Sequence, residues 1–285
     1  MKVALCMAGT TTGKQAFWRC WENLGLAPAT DLVLQVNSPI GRSRDNVGNF
    51  PEDWAGQDLS PVVEAVSRRT ESLLARWTPK PYSFGFVDYE PRRYAADGKT
   101  ITERWMLNIL RNGLADHDTR FLEALLDGMK EAAPQLPLSL YTVPRLPKAD
   151  LTDEDRQRAM TARPIVHEMG WTWMNAYATG DSDRDWLDLQ NINDHIRRLH
   201  SAYEMHQKFA RPVIPFLWPS YRMTAEESRQ YNAPTIGILH RLNAETQGQM
   251  THIGIWVDCT YDTVAMKEAE NAAAFTDTLR AAVGA

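Results

Sequence analysis

The chain has 285 residues, of which 44% are hydrophobic, and its formal net charge is −5. This length suits one large domain or two small ones, and a single α/β barrel of about 250 residues fits within it. The acidic balance and the dispersed basic residues argue against binding of nucleic-acid phosphates as the main role. The cysteines Cys6, Cys20 and Cys259 are too widely spaced for a disulfide framework or a Cys-x-x-Cys metal pattern.

The apolar runs of the sequence are all short. None approaches the length that spans a membrane, so no membrane association is expected. The run after Lys2 covers residues 3–8 and is too short for the core of a signal peptide. The sequence as written therefore predicts a cytoplasmic protein, or a secreted one if a leader was removed before this numbering begins. The oligomeric state is left open.

The first 80 residues alternate between strand and helix patterns. Strands are predicted over 3–7 and 31–36, and helices over 17–24 and 60–77, the second capped by Ser60. The segment between the first strand and helix resembles a phosphate-binding loop. However, Ala8 and Gln15 stand where that motif requires glycine and serine or threonine, so we do not expect nucleotide binding. Residues 37–58, rich in Gly, Pro, Asn and Asp, are predicted to form a long surface loop.

The stretch 82–91 combines a strand pattern with two acids. It begins with aromatic and β-branched residues typical of a buried strand, continues to Asp88 and Glu90, and is stopped by Pro91. Side chains alternate along a strand, so both acids should point to one side and Tyr89 to the other. Repulsion and partial burial would raise the pKa of one acid, as a general acid near neutral pH requires. Alternatively, the acids cap the next turn or pair with the arginines at 92 and 93.

The remaining chain continues the alternation of strands and helices. Residues 91–112 are predicted to form a long segment outside the sheet. Because it follows the acidic strand end directly, it is well placed to form one wall of a cleft. Further helices are predicted over 118–133, 150–161, 189–210, 239–247 and 265–282. Further strands are predicted over 137–143, 212–218, 233–236 and 252–257, and the segment 164–177 is expected to begin as a strand.

No metal site is expected from the histidines. His167-Glu168 resembles the start of a zinc-protease helix, but Trp171 stands where the second histidine is required. The histidines at 195, 200 and 206 are spread around their predicted helix rather than aligned on one face. We expect neither a metal ion nor another cofactor.

Seven or eight short apolar strands alternating with helices predict a mainly parallel sheet. The length favours a TIM-like (β/α) barrel that forms a single domain over residues 1–285. In such a barrel the active site lies where strands end and the following loops begin. The residues at those predicted ends are Asp88, Glu90, Tyr141, Asn175, Tyr177, Trp218, Tyr221, Trp256 and Asp258.

This set is rich in carboxyl, phenol and indole groups. Carboxyl groups supply acid catalysis, aromatic faces hold sugar rings, and tyrosine hydroxyls stabilise charge. Each aromatic taken alone is more often a core residue, and only the shared position raises the odds of a site. The set therefore predicts cleavage of a glycosidic bond.

Residues 84–90, Phe-Gly-Phe-Val-Asp-Tyr-Glu, resemble the hyaluronidase strand that ends in Asp-Trp-Glu, with Tyr89 in place of the tryptophan. Four further segments are similar to that family in the same order: the helix 121–132, the strand 138–143 that carries a tyrosine, and residues 173–177 and 253–256. Two features depart from the family. Its paired disulfides are missing, and Pro91-Arg92-Arg93 replaces the usual Glu-Trp-Arg.

The resemblance implies a retaining glycoside hydrolase acting on a glycan that contains N-acetylhexosamine. Glu90 would protonate the leaving oxygen, and Asp88 would orient the substrate's own 2-acetamido group, whose carbonyl attacks the anomeric carbon. Tyr177 and Tyr141 would hydrogen-bond that group, and Trp256 would pack under the sugar ring.

Two other functions are compatible with the same residues. One is a barrel that binds a glycan or another ligand without cleaving it. The other is a lyase or isomerase in which Asp88 and Glu90 abstract protons. The arginines at 92, 93 and 145 are expected to be solvated rather than to bind an acidic sugar.

Overall fold

A computed structural model describes residues 1–41, 46, 48–141, 143–146, 150–176, 189–209, 212–217, 241, 243–244, 246 and 249–260, with backbone alone for 175, 189–195 and 217. The strands are Lys2–Gly9 (β1), Thr30–Asn37 (β2), Tyr82–Asp88 (β3), Arg92–Tyr94 (β4), Ile101–Arg104 (β5), Leu138–Leu140 (β6), Thr172–Asn175 (β7), Val213–Leu217 (β8) and His252–Cys259 (β9). The α-helices are Thr11–Asn23 (α1), Ser60–Leu74 (α2), Trp105–Asn112 (α3), Asp116–Ala132 (α4), Asp153–Met160 (α5), Arg163–Val166 (α6) and Leu189–His206 (α7).

Within these residues, seven strands form one parallel sheet in the order β6-β3-β2-β1-β9-β8-β7. The two edge strands come together at a seam. The backbone N–H of Gly170, just before β7, donates to the carbonyl oxygen of Leu138 in β6 at 2.8 Å. The N–H of Trp173 reaches the hydroxyl of Ser139 at 3.4 Å. The predicted TIM-like barrel is therefore confirmed as a nearly closed ring of seven parallel strands.

Large side chains fill the barrel interior. Trp173 is fully buried, stacks on Phe216 with ring centroids 3.5 Å apart, and lies 4.5 Å from the ring of Phe86. It therefore joins β8 to β3 across the seam. Gly254 in β9 leaves room for this packing, because a β-carbon there would lie 2.4 Å from the Phe216 ring. The nine buried residues of this interior cluster are Ala4, Cys6, Val33, Phe84, Phe86, Trp171, Trp173, Ile214 and Phe216.

Helices cover the outside of the ring by burying one apolar face each. The apolar face of α4, which includes Phe121 and Met129, is buried against the sheet and α2. On the other side, Trp21 of α1 is buried and donates its indole N–H to the Thr30 hydroxyl at 2.8 Å. This layering leaves the carboxyl ends of the strands and their loops to form the rim.

Several predicted boundaries were wrong for local reasons. α1 begins at Thr11, within the segment that resembles a phosphate loop, because the Thr10 side chain caps it by accepting from the Gly13 N–H. The segment predicted to begin as a strand starts with α6, whose first turn accommodates Pro164. α2 ends at Leu74, and its cap position is Leu59, not Ser60.

Other boundaries differ only in length or fall outside the described chain. β6 is shorter than predicted, and the excursion after β3 contains the antiparallel hairpin β4–β5 and α3. The strand predicted over 233–236 and the helix over 265–282 lie outside the described residues, as does most of the helix over 239–247. The single-domain organisation stays a prediction.

No group of three or more His, Cys, Asp or Glu side chains among these residues is arranged to hold a metal ion. None of the helices that the structure describes has the length and hydrophobicity that crossing a lipid bilayer requires.

His206, at the end of α7, makes stability depend on pH. The residue is 4% exposed, its Nδ1 has no hydrogen-bond partner in the described chain, and burial lowers its pKa from 6.5 to about 4. Between these two values the unfolded chain binds a proton that the folded chain does not, so stability falls as pH falls. We expect His206 to account for a loss on the order of 3 kcal/mol across that window.

Urea unfolding of wild type and His206→Leu at pH 7 and pH 4.5 measures this contribution. The variant should lose less stability than wild type on acidification, since the group that titrates is gone. His200→Leu is the matched control, because His200 lies on the same helix but is only half-buried. Equal pH dependence in wild type and His206→Leu would contradict the prediction.

Candidate active site

A cleft of about 360 Å³ opens at the carboxyl ends of β2 and β3. The two strands end in register, with Asn37 opposite Asp88, and the N–H of Ser38 donates to the Asp88 carbonyl oxygen at 3.0 Å. The cleft is lined by Ser38, Ile40, Gly41, Asp88, Glu90, Arg92 and Tyr94. It therefore lies on the rim where barrel active sites occur.

The two acids share this cleft because alternation continues past the end of β3. Asp88 is half-buried and Glu90 is exposed, and both line the cleft. Tyr89 points the opposite way and is 3% exposed, with its ring 5.2 Å from both Trp105 and Phe121. Its hydroxyl donates to the Asn49 carbonyl oxygen at 2.9 Å. Anchoring Tyr89 in the helical layer holds the acids toward the cleft.

Gln35 of β2 connects Asp88 to the rest of the rim. Its side-chain nitrogen Nε2 donates to Asp88 Oδ2 at 2.9 Å and to Asn37 Oδ1 at 3.1 Å. Its oxygen Oε1 accepts from the indole N–H of Trp256 at 2.9 Å. Sequence reasoning missed Gln35. The available signal was a polar amide inside the apolar strand 31–36.

Arg93 stabilises one wall of the cleft. Its guanidinium contacts Glu52, Asp53 at 2.9 Å and Glu103 at 3.2 Å, and it lies 4.3 Å from the centroid of the Phe50 ring. These contacts tie the β4–β5 hairpin to the loop after β2. The expectation that Arg93 is solvated was therefore wrong, because three carboxylates, two from the loop after β2 and one from β5, converge on it.

A second tie joins the same two segments. Asn46, with φ of 60°, donates its side-chain amide to the Tyr94 carbonyl oxygen at 2.7 Å and accepts from the Tyr94 N–H at 2.8 Å. Asparagine tolerates this left-handed backbone better than most residues. Arg92 and Tyr94 of the same hairpin line the cleft, so the tie also fixes the wall that faces the acids.

Neither arginine next to the acids forms a salt bridge with Glu90 in the part of the chain that the structure describes. Arg93 is engaged by other acids, and no ion pair joins Glu90 to Arg92 among the residues the structure describes. The alternative in which Glu90 pairs with its neighbouring arginines is therefore not what the structure shows.

The other predicted site residues are distributed around the rim. Tyr141 follows β6, is half-buried, and lies 5.4 Å from Trp173 and 6.4 Å from Phe86 by ring centroids. Trp256 is linked to Asp88 through Gln35, to which its indole N–H donates. Asp258 accepts from the N–H and the hydroxyl of Thr260, which closes the turn after β9.

The remaining four predicted residues are described in part or not at all. Asn175 is the last residue of β7, and its side chain is outside the description. Tyr177, Trp218 and Tyr221 lie outside the described residues, so their place in the site stays a prediction.

No protein-family model matches the chain, and no curated protein matches it significantly in sequence. Among solved structures, bee venom hyaluronidase is similar over 100% of both chains, with a TM-score of 0.66 and 12% sequence identity. The fold is that of bee venom hyaluronidase. A β-1,4-mannanase of glycoside hydrolase family GH113 is also similar over 100% of both chains, but its TM-score of 0.42, at 11% identity, carries no weight.

This hyaluronidase-like barrel confirms the resemblance carried by the strand 84–90 at the level of fold. Within it, the acids occupy two different environments. Asp88 is half-buried and accepts a hydrogen bond from Gln35, which favours its charged form. Glu90 is exposed at the edge of the cleft. Two neighbouring carboxyl groups in different environments are suited to two different chemical roles.

Proposed function

We propose that the protein is a glycoside hydrolase that cleaves a glycan containing N-acetylhexosamine with retention of configuration. The observation that carries this proposal is the pair of acids, Asp88 and Glu90, in one cleft on the rim of the barrel. The fold shared with bee venom hyaluronidase supports it. No cofactor is part of the proposal.

In the proposed first step, Glu90 donates its proton to the glycosidic oxygen as the bond to the anomeric carbon breaks. The carbonyl oxygen of the substrate's 2-acetamido group attacks that carbon and forms a cyclic oxazolinium intermediate. Asp88 accepts a hydrogen bond from the acetamido N–H and stabilises the positive charge that develops there. Because Asp88 already accepts from Gln35, it is held in position before the sugar arrives.

In the second step, Glu90, now a carboxylate, removes a proton from water, which opens the intermediate. Two attacks on the same carbon restore the original configuration. A carboxyl group keeps its proton near neutral pH when apolar surface shields it from water, and a sugar ring over the cleft would provide that surface.

The aromatic residues of the rim would position the sugar. Trp256 has its indole N–H directed to Gln35, which sets the orientation of its ring, and we propose that this ring packs under the sugar. Tyr141, with Tyr177, would donate to the acetamido group. Trp218, Tyr221, Asn175 and Asp258 remain proposed contacts to the rest of the glycan.

One observation favours a second function, a barrel that binds a glycan without cleaving it. Glu90 is exposed, and no residue in the described chain hydrogen-bonds to its carboxyl group. A binding protein has no need to shield an acid, so an exposed Glu90 suits it as well.

Reducing-end release from a panel of N-acetylhexosamine polymers tests the function. We expect release from at least one polymer, and a product whose first-formed anomer, followed by NMR, keeps the configuration of the substrate. The same polymer with its acetamido groups removed is the matched control and should be cleaved at least about 10²-fold more slowly, because it lacks the internal nucleophile. Inversion, or equal cleavage of the control, would contradict the mechanism. Binding without release would favour the second function.

A further inference from the structure

The orientation of the Gln35 amide is fixed by the chemistry of its neighbours. An indole N–H can only donate, so the group of Gln35 that faces Trp256 at 2.9 Å has to be the oxygen. The Cys6 thiol lies 3.6 Å from the same oxygen. Burial raises the pKa of that thiol, so it remains protonated and donates as well. The NH₂ group of Gln35 must then face Asp88 and Asn37. The flipped orientation of the amide is excluded, because it would place the NH₂ group against two donors.

All four hydrogen-bonding positions of this amide are occupied. Its oxygen accepts twice, from Trp256 and Cys6, and its nitrogen donates twice, to Asp88 and Asn37. Cys6 is fully buried, and Gln35 is half-buried at the top of the barrel interior. Hydrogen bonds are stronger and better defined in such surroundings than in water. A fully occupied amide at this depth has a single orientation.

We propose that Gln35 is a positioning residue that keeps Asp88 ionised and aimed at the reacting sugar. The proposal rests on the proposed function. An N–H donated to a carboxylate stabilises its charged form over the protonated form, and the charged form is the one that can stabilise a positive intermediate. Trp256 and Cys6 act through Gln35, because they hold the amide with its donors toward Asp88.

The network also couples two parts of the site. Trp256, which packs under the sugar, is one hydrogen bond from Gln35, and Gln35 is one hydrogen bond from Asp88. A change at the indole N–H therefore reaches the carboxylate without any contact between the two residues. Trp256→Phe keeps an aromatic face but removes the donor that fixes the amide, so it should act on Asp88 in the same direction as loss of Gln35.

The test compares wild type, Gln35→Leu and Trp256→Phe. The first readout is the pKa of the Asp88 carboxyl, followed by ¹³C NMR, which requires no turnover. We expect it to be higher in Gln35→Leu by about one pH unit and higher by less in Trp256→Phe. The second readout is the pH profile of kcat/KM. Its acidic limb should move to higher pH in the same order, and kcat should fall about 10- to 10²-fold in Gln35→Leu with a smaller change in KM.

The control is Gln207→Leu, the same substitution in the exposed turn after α7, where Gln207 donates to Gln249. It should leave both readouts unchanged. An Asp88 pKa equal to that of wild type in both site variants would overturn the proposal even if activity fell. A Gln35 with a purely structural role would lower activity without changing the pKa of Asp88. If Gln35→Leu fails to fold, the Asp88 pKa measured in Trp256→Phe is sufficient to uphold or overturn the proposal. A raised Asp88 pKa in a protein that cleaves nothing would uphold the network and reject the hydrolase.

Discussion

Glu90→Gln should lower kcat by about 10²- to 10⁴-fold while leaving the affinity for the glycan nearly unchanged. The amide keeps the shape of the carboxyl group, but it can neither protonate the leaving oxygen in the first step nor remove a proton from water in the second. Glu90 lies at the edge of the cleft, and the described chain makes no hydrogen bond to its side chain. The substitution therefore leaves no described partner unsatisfied, and stability should change little.

The leaving group provides an internal check on this prediction. The phenol of an aryl glycoside with an acidic leaving group departs without protonation, so its release in the first turnover should fall far less in Glu90→Gln than cleavage of the natural polymer. Glu131→Gln, which makes the same chemical change at an exposed position near the end of α4, is the matched control and should retain wild-type rates. An equal loss on both substrates would mean that Glu90 does not protonate the leaving oxygen.

The acidic strand end was predictable because its determinants are local. An apolar alternation followed by Pro91 fixes where β3 ends, and the period of two fixes which side chains share a face. Both statements depend only on the ten consecutive residues 82–91. The position of Asp88 and Glu90 in a common cleft follows from them once the strand belongs to a barrel.

The network around the acids was not predictable in the same way. Gln35 bonds to Asp88 across 53 positions of sequence and to Trp256 across 221. The register between β2 and β3 brings Gln35 next to Asp88, and the position of β1 between β2 and β9 brings Gln35 near Trp256. No local sequence pattern specifies either arrangement. Arg93 is a similar case, because its acidic partners come from the loop after β2 and from β5.

The error at residues 164–166 shows where local patterns mislead. Pro-Ile-Val combines β-branched side chains with a residue that disfavours helix interiors, which is typical of a strand start. In the structure, Ile165 and Val166 are buried in the helical layer beside the sheet, and the proline occupies the first turn, where its missing N–H is tolerated. Packing against the layer outweighs a propensity difference of well under about 1 kcal/mol per residue.

The second large effect concerns closure of the barrel. Trp173→Ala should destabilise the fold by about 3–5 kcal/mol, the usual cost of removing a large buried aromatic side chain. Trp173 is fully buried, stacks on Phe216 at 3.5 Å, and contacts Phe86 and Tyr141 across the seam between β6 and β7. Truncation would leave these rings facing a cavity. The free energy of unfolding in urea measures the loss directly.

Trp173→Phe separates the contribution of the stacked ring from that of the buried indole N–H at the same position. The indole N–H of Trp173 is buried and has no partner in the described chain, so phenylalanine removes an unsatisfied donor while keeping most of the stacked ring. We expect it to cost no more than about 1.5 kcal/mol, well below the alanine variant. Equal losses in the two variants would contradict the prediction, because they would mean that the stacked ring kept by phenylalanine contributes nothing to closure of the seam. Because Phe86 lies two residues before Asp88 on β3, loosening of this stack should also reduce activity before the barrel unfolds.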